Sequence, residues 1–567
     1  MLPARASLAA LPHRDKAPDV QYAGMESQEF RDKPITGNAR IATRSIAANA
    51  VIVAAAFVVS RILGLLREVL IARQFGTSPE YDAYVAAFRV PDLLFLIIMS
   101  GAFGSAFIPV FGGFISRGQY EHAWRLASTV LTYTVIVLLL FAQVVFLLAG
   151  PLIGTLIAPG LAEEQRDLAV DLTRMLLLSP LLLGLGAAAK GMLEAQDAFT
   201  LPAIAPILYN LGIIFGAIVL APEYGAYGLA YGVVVGAAAH ATIQFVDLVL
   251  RGWSFRPSFN IRTEGLGTVA KLMAPRIVGQ AAFQINIIVM TNFASRVGEA
   301  RVSALNYAYQ LFMLPHGVLA LSLSTVIFPL MARQFELGQL DALKHTLSRA
   351  LGPLLFLTFP AAIGLIAFRE SIVQMILQFG TFTEESTRLV ATGLAYFAVG
   401  LVAFAVVEAI TRAFYAMQDT LTPVIAAVLT IAANIGLSWT LAPILGHGGL
   451  ALSISVTTSI EAVVLMGVLY RRIGGLGSPL LVSVLRTSLA AIVMAAVALW
   501  IGGPVAEATD PARGRTVWSV GLFLFALATA GATYLCAAWY LRAPELTILM
   551  GRLSSRMPGA PDRTSET

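Results

Sequence analysis

Apolar runs of about 20 residues recur along almost the whole chain, separated by short stretches holding Gly, Pro and basic residues. They centre near residues 57, 98, 138, 180, 211, 238, 285, 319, 358, 400, 432, 460, 491 and 528. A helix of that length spans the roughly 30 Å hydrocarbon core of a bilayer, so the pattern predicts an all-α polytopic membrane protein of about fourteen transmembrane helices. Residues 1–45 break the pattern: they are polar, mixed in charge and interrupted by Pro3, Pro12, Pro18 and Pro34. No apolar stretch there has signal-peptide character, and a disordered cytoplasmic tail is expected, with a second tail over 546–567.

Composition agrees with the pattern. Of 567 residues 57% are hydrophobic and 13% charged, with mean hydropathy +0.78, whereas soluble domains carry about 25% charged residues. An ordinary cytosolic globule is excluded. The formal charge of +5 is small and scattered, which argues against nucleic-acid binding and leaves loop charge as a guide to orientation. With the termini inside, the cytoplasmic loops hold Arg117, Arg125, Lys190, Arg251, Arg256, Arg262, Arg333, Lys344, Arg349, Arg412, Arg471 and Arg472. The alternate loops hold fewer: Arg166, Arg296, Arg301, Arg369, Arg388, Arg513 and Arg515. The bias predicts both termini in the cytoplasm. A single Cys536 excludes an internal disulfide, and the six histidines lie singly, without metal-ligand spacing. Neither a phosphate-binding loop nor a serine-hydrolase elbow occurs in its proper context, so no enzyme and no cofactor is expected.

Compared with itself, the sequence shows an internal duplication. Phe107-Ile108-Pro109 resembles Ile327-Phe328-Pro329, and Gly118-Gln119 resembles Gly338-Gln339, both at an offset of 220. Glu163-Glu164 resembles Glu384-Glu385, Ala195-Gln196-Asp197 resembles Met417-Gln418-Asp419, and Gly225-x-x-Gly228-Leu229-Ala230 resembles Gly446-x-x-Gly449-Leu450-Ala451, at offsets of 221 or 222. Five landmarks in one order argue for two homologous copies of about six helices each. An even number makes both copies enter the membrane from the same side, related by an axis along its normal. The expected organisation is an N-lobe over 46–255, a C-lobe over 256–475 and two further helices over 476–545, with a cavity between the lobes.

Ionisable groups at membrane depth are costly and normally face water or a partner. Arg61, Arg67 and Glu68 interrupt the first apolar run, and Asp82, Arg89 and Asp92 follow the turn Gly76-Thr77-Ser78-Pro79. Arg61 and Glu68, like Asp82 and Arg89, are seven residues apart and share a helical face. A polar stripe facing the inter-lobe space is expected, and arginine within it suggests phosphate, which its planar fork binds through two oxygens. Arg73 and Asp92, near helix ends, read as interfacial or structural. In the second copy Arg276 is a further cavity candidate in a span holding Gln280, Gln284, Asn286 and Asn292, and Lys271 lies nearby. Glu408 and Arg412, spaced i,i+4, suit either a local ion pair or a site. The Gln-Asp turns at 196 and 418 read as structural punctuation, and the Gly pairs 212/216 and 232/236 as helix contacts.

The stretch from Ser60-Arg61-Ile62-Leu63-Gly64 through Arg67-Glu68, Ala72-Arg73-Gln74-Phe75-Gly76, Asp82-Ala83, Ala87-Phe88-Arg89-Val90-Pro91 and Gly101-Ala102-Phe103 to Phe107-Ile108-Pro109 resembles the signature of the MurJ/MviN lipid II flippases. The likeness continues through Leu201-Pro202-Ala203, Tyr209-Asn210-Leu211-Gly212, Phe414-Tyr415-Ala416 and Gln418-Asp419-Thr420, over roughly 46–470. It implies fourteen helices, two six-helix lobes opening alternately, and a cationic cavity for the pyrophosphate of an undecaprenyl-linked peptidoglycan precursor. By matching motif Arg61, Arg67, Glu68 and Asp82 carry over as cavity residues, joined by Arg89, Arg276 and Gln310. The chain departs from the family at Phe95, Leu96 and Ser100, where many relatives have Arg-Arg and Glu, and at Tyr309-Gln310, where they have Asp-Arg; Arg89, Arg276 or Lys271 would have to compensate. The expected partners are lipid II or a similar polyprenyl-diphosphate glycan, membrane lipids and cell-wall synthesis proteins, and the expected drive is the membrane potential or a coupling ion. Competing readings are a flippase for a capsule or O-antigen glycan, a cation-coupled drug exporter and a transport-dead cell-wall scaffold.

Overall fold

The computed structural model describes residues 38–99, 106–253, 255–511 and 517–546, and all regular structure among them is helical. The helices are α1 (Asn38–Phe75), α2 (Pro79–Met99), α3 (Ile108–Ser116), α4 (Tyr120–Pro151), α5 (Glu163–Leu176), α6 (Leu178–Glu194), α7 (Thr200–Phe215), α8 (Ala221–Leu250), α9 (Leu266–Val297), α10 (Arg301–His316), α11 (Ser322–Glu336), α12 (Leu340–Ala367), α13 (Arg369–Ile376), α14 (Glu384–Val399), α15 (Leu401–Ala416), α16 (Leu421–Leu445), α17 (His447–Ile473), α18 (Ser478–Thr509) and α19 (Val517–Tyr540). Each expected centre falls on a helical segment except residue 400, which marks the 48° bend between α14 and α15. Residue 319 lies on a π-helical turn, Gly317–Leu321, that joins α10 to α11. Of the tails, residues 38–45 belong to α1 and Leu546 is described, while 1–37 and 547–567 lie outside the described residues.

Among the described residues nine helical segments are long and apolar enough to cross a membrane, or ten if α14 and α15 form one bent span. The chain is a multi-pass membrane protein. One segment, Thr200–Leu250, has 51 residues, which at 1.5 Å per residue is about 77 Å and more than twice the hydrocarbon thickness. It reverses at Gly225, whose φ of 54° and ψ of −137° only glycine adopts freely. The arms then close on each other, with Gly216 so near Gly232 that a Cβ on Gly232 would lie 2.6 Å from the Gly216 Cα. The glycine pairs therefore act in packing, as their spacing predicts.

The duplication is written in the backbone. Gly118 and Gly338 adopt φ of 72° and 70°, and both end a helix with the same pair of hydrogen bonds: Gly118 N–H to Ile115 O and Gln119 N–H to Phe114 O, each at 2.9 Å, and Gly338 N–H to Phe335 O at 2.9 Å and Gln339 N–H to Gln334 O at 2.8 Å. Gly225 is matched by Gly446, with φ of 58° and ψ of −142°. Asp197 and Gln418 share positive φ, 59° and 60°. The backbone offset there is 221, so Asp197 corresponds to Gln418 and not to Asp419 as the Gln-Asp match implies. Asp419 instead starts α16, accepting from Thr422 Oγ1 at 2.6 Å and pairing with Arg472 at 2.5 Å. Burial pulls its carboxyl up, but the bonds from Thr422 and Leu421 and the Arg472 charge outweigh this and hold it below the ordinary aspartate range. Helix contacts repeat as well: α7 packs on α8 as α16 on α17, α2 on α5 as α10 on α14, and α4 on α6 as α12 on α15.

Buried polar side chains staple these helices. Asn434 donates to Asn286 Oδ1 at 2.7 Å and accepts from Ser453 at 2.7 Å, and Ser453 meets Ser438 at 2.8 Å, joining α9, α16 and α17. Helices α18 and α19 pack on each other and on α12, where Tyr534 Oη donates to Phe356 O at 2.6 Å. Gly232→Ala is expected to destabilise the fold by about 1–3 kcal/mol, because the new methyl meets backbone that cannot yield. Gly467→Ala, whose added Cβ meets nothing within 4 Å, should leave the melting temperature in detergent unchanged or slightly higher, since alanine is the better helix former.

Candidate functional site

α1 turns one stripe inward. Val53, Phe57, Ser60, Arg61, Gly64, Arg67 and Glu68 line a cavity of about 580 Å³, closed on its other sides by α6, α7 and α10. A second cavity of about 240 Å³ shares Arg67, Glu68 and Gln310 with it and is lined further by Tyr81, Tyr84, Arg89, Asp92, Phe95 and Asn306. The stripe follows from α-helical periodicity, as the seven-residue spacing of Arg61 and Glu68 predicts.

The two arginines of α1 differ in state. Arg61 is exposed to the cavity, has no ion pair among the described residues, and lies 5.2 Å over the ring of Phe57. Arg67 is bound to Glu68 Oε1 through Nη2 at 2.6 Å and Nε at 3.1 Å, and through Nη1 to Asn210 Oδ1 at 3.0 Å. Asn210 in turn donates to Pro206 O at 3.1 Å and reaches Ser60 O at 3.4 Å. This half-buried pair thus ties α1 to α7, and Glu68 neutralises its cation. The large cavity holds Arg61, Arg67 and Lys190 against Glu68 and Glu194, a formal surplus of one positive charge.

Other expected site residues separate. Arg89 is buried at the second cavity, donating to Thr291 Oγ1 at 2.9 Å and Asn306 Oδ1 at 3.3 Å, while Asp92 accepts from Gln284 at 3.0 Å. These bonds join α2 to α9 and α10. Asp82 lines neither cavity: it is buried, and its Oδ1 accepts from the Ser303 N–H at 2.7 Å in the first turn of α10, where a helix offers unpaired donors and a favourable dipole. Its expected cavity position is corrected to a junction between helices. Gln310 is exposed and lines both cavities. Lys271 is exposed on α9 and lines neither. The side chains of Arg276, Leu96 and Ser100 lie outside the described residues. Glu408 and Arg412 form the local pair, at 2.9 Å.

Charge counting assigns Lys190 to a cytoplasmic loop, yet it sits within α6 and lines the large cavity, 3.7 Å from Glu194. Its i,i+4 spacing to Glu194 was the available signal. Asn210 stands in the family-like stretch Tyr209-Asn210-Leu211-Gly212, but no spacing tied it to Arg67.

The cavity is shut at the end where α1 turns into α2. Tyr81 stacks on Tyr307 at 5.0 Å between ring centres, Thr77 Oγ1 meets Ser386 Oγ at 2.8 Å, and the Thr381 N–H donates to Arg73 O at 3.0 Å. Gly160 N–H donates to Ser295 Oγ at 3.2 Å, and Asn292 to Leu156 O at 2.7 Å. A Thr77→Cys, Ser386→Cys double variant with Cys536→Ala is expected to form a disulfide on mild oxidation, read as a mobility shift that reductant reverses. Absence of a cross-link in the resting protein would contradict the closure.

Comparison with known proteins follows the same lines. The family model described as Lipid II flippase MurJ matches residues 71–510. A probable lipid II flippase MurJ of Rhizobium meliloti (strain 1021) is 32% identical over 505 residues, covering 86% of this chain and 93% of that protein. The lipid II flippase MurJ of Burkholderia cenocepacia is 33% identical over 423 residues, 72% of this chain and 80% of its own. A solved lipid II flippase MurJ in an inward closed conformation aligns with TM-score 0.71 and 26% identity over 89% of this chain and all, 100%, of that one. An inward-facing MATE multidrug resistance transporter of the MOP superfamily shares the fold, with TM-score 0.62 and 17% identity over 74% of this chain and 95% of its own.

Proposed function

Since the chain belongs to the MurJ lipid II flippase family, we propose that it carries lipid II, the undecaprenyl-diphosphate-linked peptidoglycan precursor, from the cytoplasmic to the outer leaflet of the bacterial inner membrane by alternating access. It is a transporter and not a catalyst. Counting α1, α2 and α9 and taking Thr200–Leu250 as two passes brings the spans to fourteen. An N-lobe over 46–255 and a C-lobe over 256–475 flank the cavity, α18 and α19 stand outside the repeat, and both termini are cytoplasmic. The repeated turns at Gly118 and Gly338 and at Gly225 and Gly446 support this organisation.

The observation that carries the reading is the unpaired Arg61 guanidinium in a cavity with one surplus positive charge. Such a group at membrane depth is costly unless it serves an anion. Arg61 grips the diphosphate through paired N–H donors. Lys190, held only loosely by Glu194 at 3.7 Å, turns from that carboxylate toward the second phosphate. Arg67 positions: with Glu68 and Asn210 it fixes α1 against α7 so that Arg61 faces the cavity. Gln310 and Arg89 complete the polar lining, and Asp82 holds the far end shut. The polyprenyl tail stays in the bilayer while the head crosses.

Release requires the Tyr81–Tyr307 and Thr77–Ser386 contacts to part as the opposite end closes. With an inside-negative potential, moving two negative charges outward is favourable by roughly 4.6 kcal/mol per 100 mV if they cross the full field.

Arg61→Ala is expected to abolish the appearance of lipid II on the outer leaflet when the resident flippase is depleted, with membrane insertion unchanged; normal flipping would overturn the assignment. Lys190→Ala should slow flipping by about tenfold, the loss of one charge-assisted hydrogen bond. Arg67→Ala should lose flipping together with thermal stability, a pairing that Arg61→Ala does not show.

A further inference from the structure

Away from the substrate cavity, α11, α12, α18 and the segment after α19 enclose a separate cavity of about 800 Å³. Most of its wall is apolar, including Leu323, Ile327, Leu330 and Leu480, but two ionisable groups stand in it: Arg349 and Glu545. Arg349 is exposed and has no ion pair among the described residues. Glu545 is only 5% exposed. Its Oε1 accepts from Ser483 Oγ, and its Oε2 has no hydrogen-bond partner.

Both groups line the one cavity. A Cβ on Gly352 would lie 2.7 Å from Glu545 Oε1, and Arg349 precedes Gly352 by three residues, on the same face of α12. That helix carries its charged side chains between Asp341 and Arg349 and is apolar from Leu351 onward, so both groups sit where a span passes from headgroups into hydrocarbon.

A buried carboxylate with an unfilled oxygen is costly unless a positive charge or a donor reaches it. A free guanidinium in the same cavity asks for an oxyanion. We propose that this cavity binds a zwitterionic aminophospholipid of the surrounding membrane, with the phosphate on Arg349, the primary ammonium on Glu545 and an acyl chain along the apolar wall. Charge complementarity selects this occupant. An anionic lipid would satisfy Arg349 and leave Glu545 facing more negative charge. A choline lipid brings a cation with no N–H for Oε2. The carboxylate's terminal torsion is soft, and its rotation turns Oε2 toward the ammonium.

The test uses the full-length protein in detergent with short-chain phosphatidylethanolamine, phosphatidylcholine and phosphatidylglycerol of equal acyl length, plus soluble phosphoethanolamine. Phosphatidylethanolamine is expected to raise the melting temperature most, binding about tenfold tighter than the other two lipids, and phosphoethanolamine is expected to give no shift. Arg349→Gln should remove the shift from every lipid, and Glu545→Gln should erase only the preference for ethanolamine. Equal shifts from the three lipids, a shift from phosphoethanolamine as large as that of the lipid, or a preference that survives Glu545→Gln would each overturn the proposal. Should Glu545→Gln fail to fold, the ranking of lipids on the unaltered protein decides the matter alone.

Discussion

A charge inside a bilayer must be paired or wetted, and the arrangement of this protein answers to that rule at each depth. Arg67 is paired by Glu68 and shared with Asn210; Arg89 is absorbed by Thr291 and Asn306; Asp82 spends its oxygen on a helix N-terminus. Each solution couples two or more helices, so neutralising a charge and fixing the packing are one event. Arg61 is left out of this scheme, and the cavity exists around it.

The rule also separates scaffold from site within a single helix. Six residues apart on α1, Arg61 and Arg67 have the same chemistry, yet their neighbours decide different fates. Asn210 lies 143 residues from Arg67 along the chain, and its contact converts a candidate ligand group into a strut. In the second copy Asn434, three residues beyond the position equivalent to Asn210, bonds Asn286 across α9 and α16. Both copies thus place an asparagine amide where a first helix meets a fifth, and in the first copy a guanidinium has been added to the joint.

Periodicity carried most of what the amino-acid sequence disclosed. Span length located the helices, constant offsets located the repeat, and the seven-residue spacing placed Arg61 and Glu68 in one cavity. Pairings between distant elements were not legible. Asp82 has a face, but spacing does not say that Ser303 will present an N–H to it, since that depends on how α2 and α10 abut. Lys190 was hidden for another reason: loop charge counts presume that basic residues lie beyond helix ends, and α6 continues to Glu194. The Gln-Asp match misled by one residue because side-chain identity drifted while the backbone kept its positive φ at Asp197 and Gln418.

The closed end is built from stacked rings, hydroxyls, main-chain groups and the buried Asp82 carboxylate on a helix N-terminus, and no salt bridge between described residues crosses it. Contacts of this kind are short-ranged and, once buried, indifferent to dissolved ions, whose screening acts on exposed charges. A gate so made is tuned by shape and by contacts shielded from water: its resistance to parting is set inside the molecule, and the salinity of the compartment it faces has little hold on it.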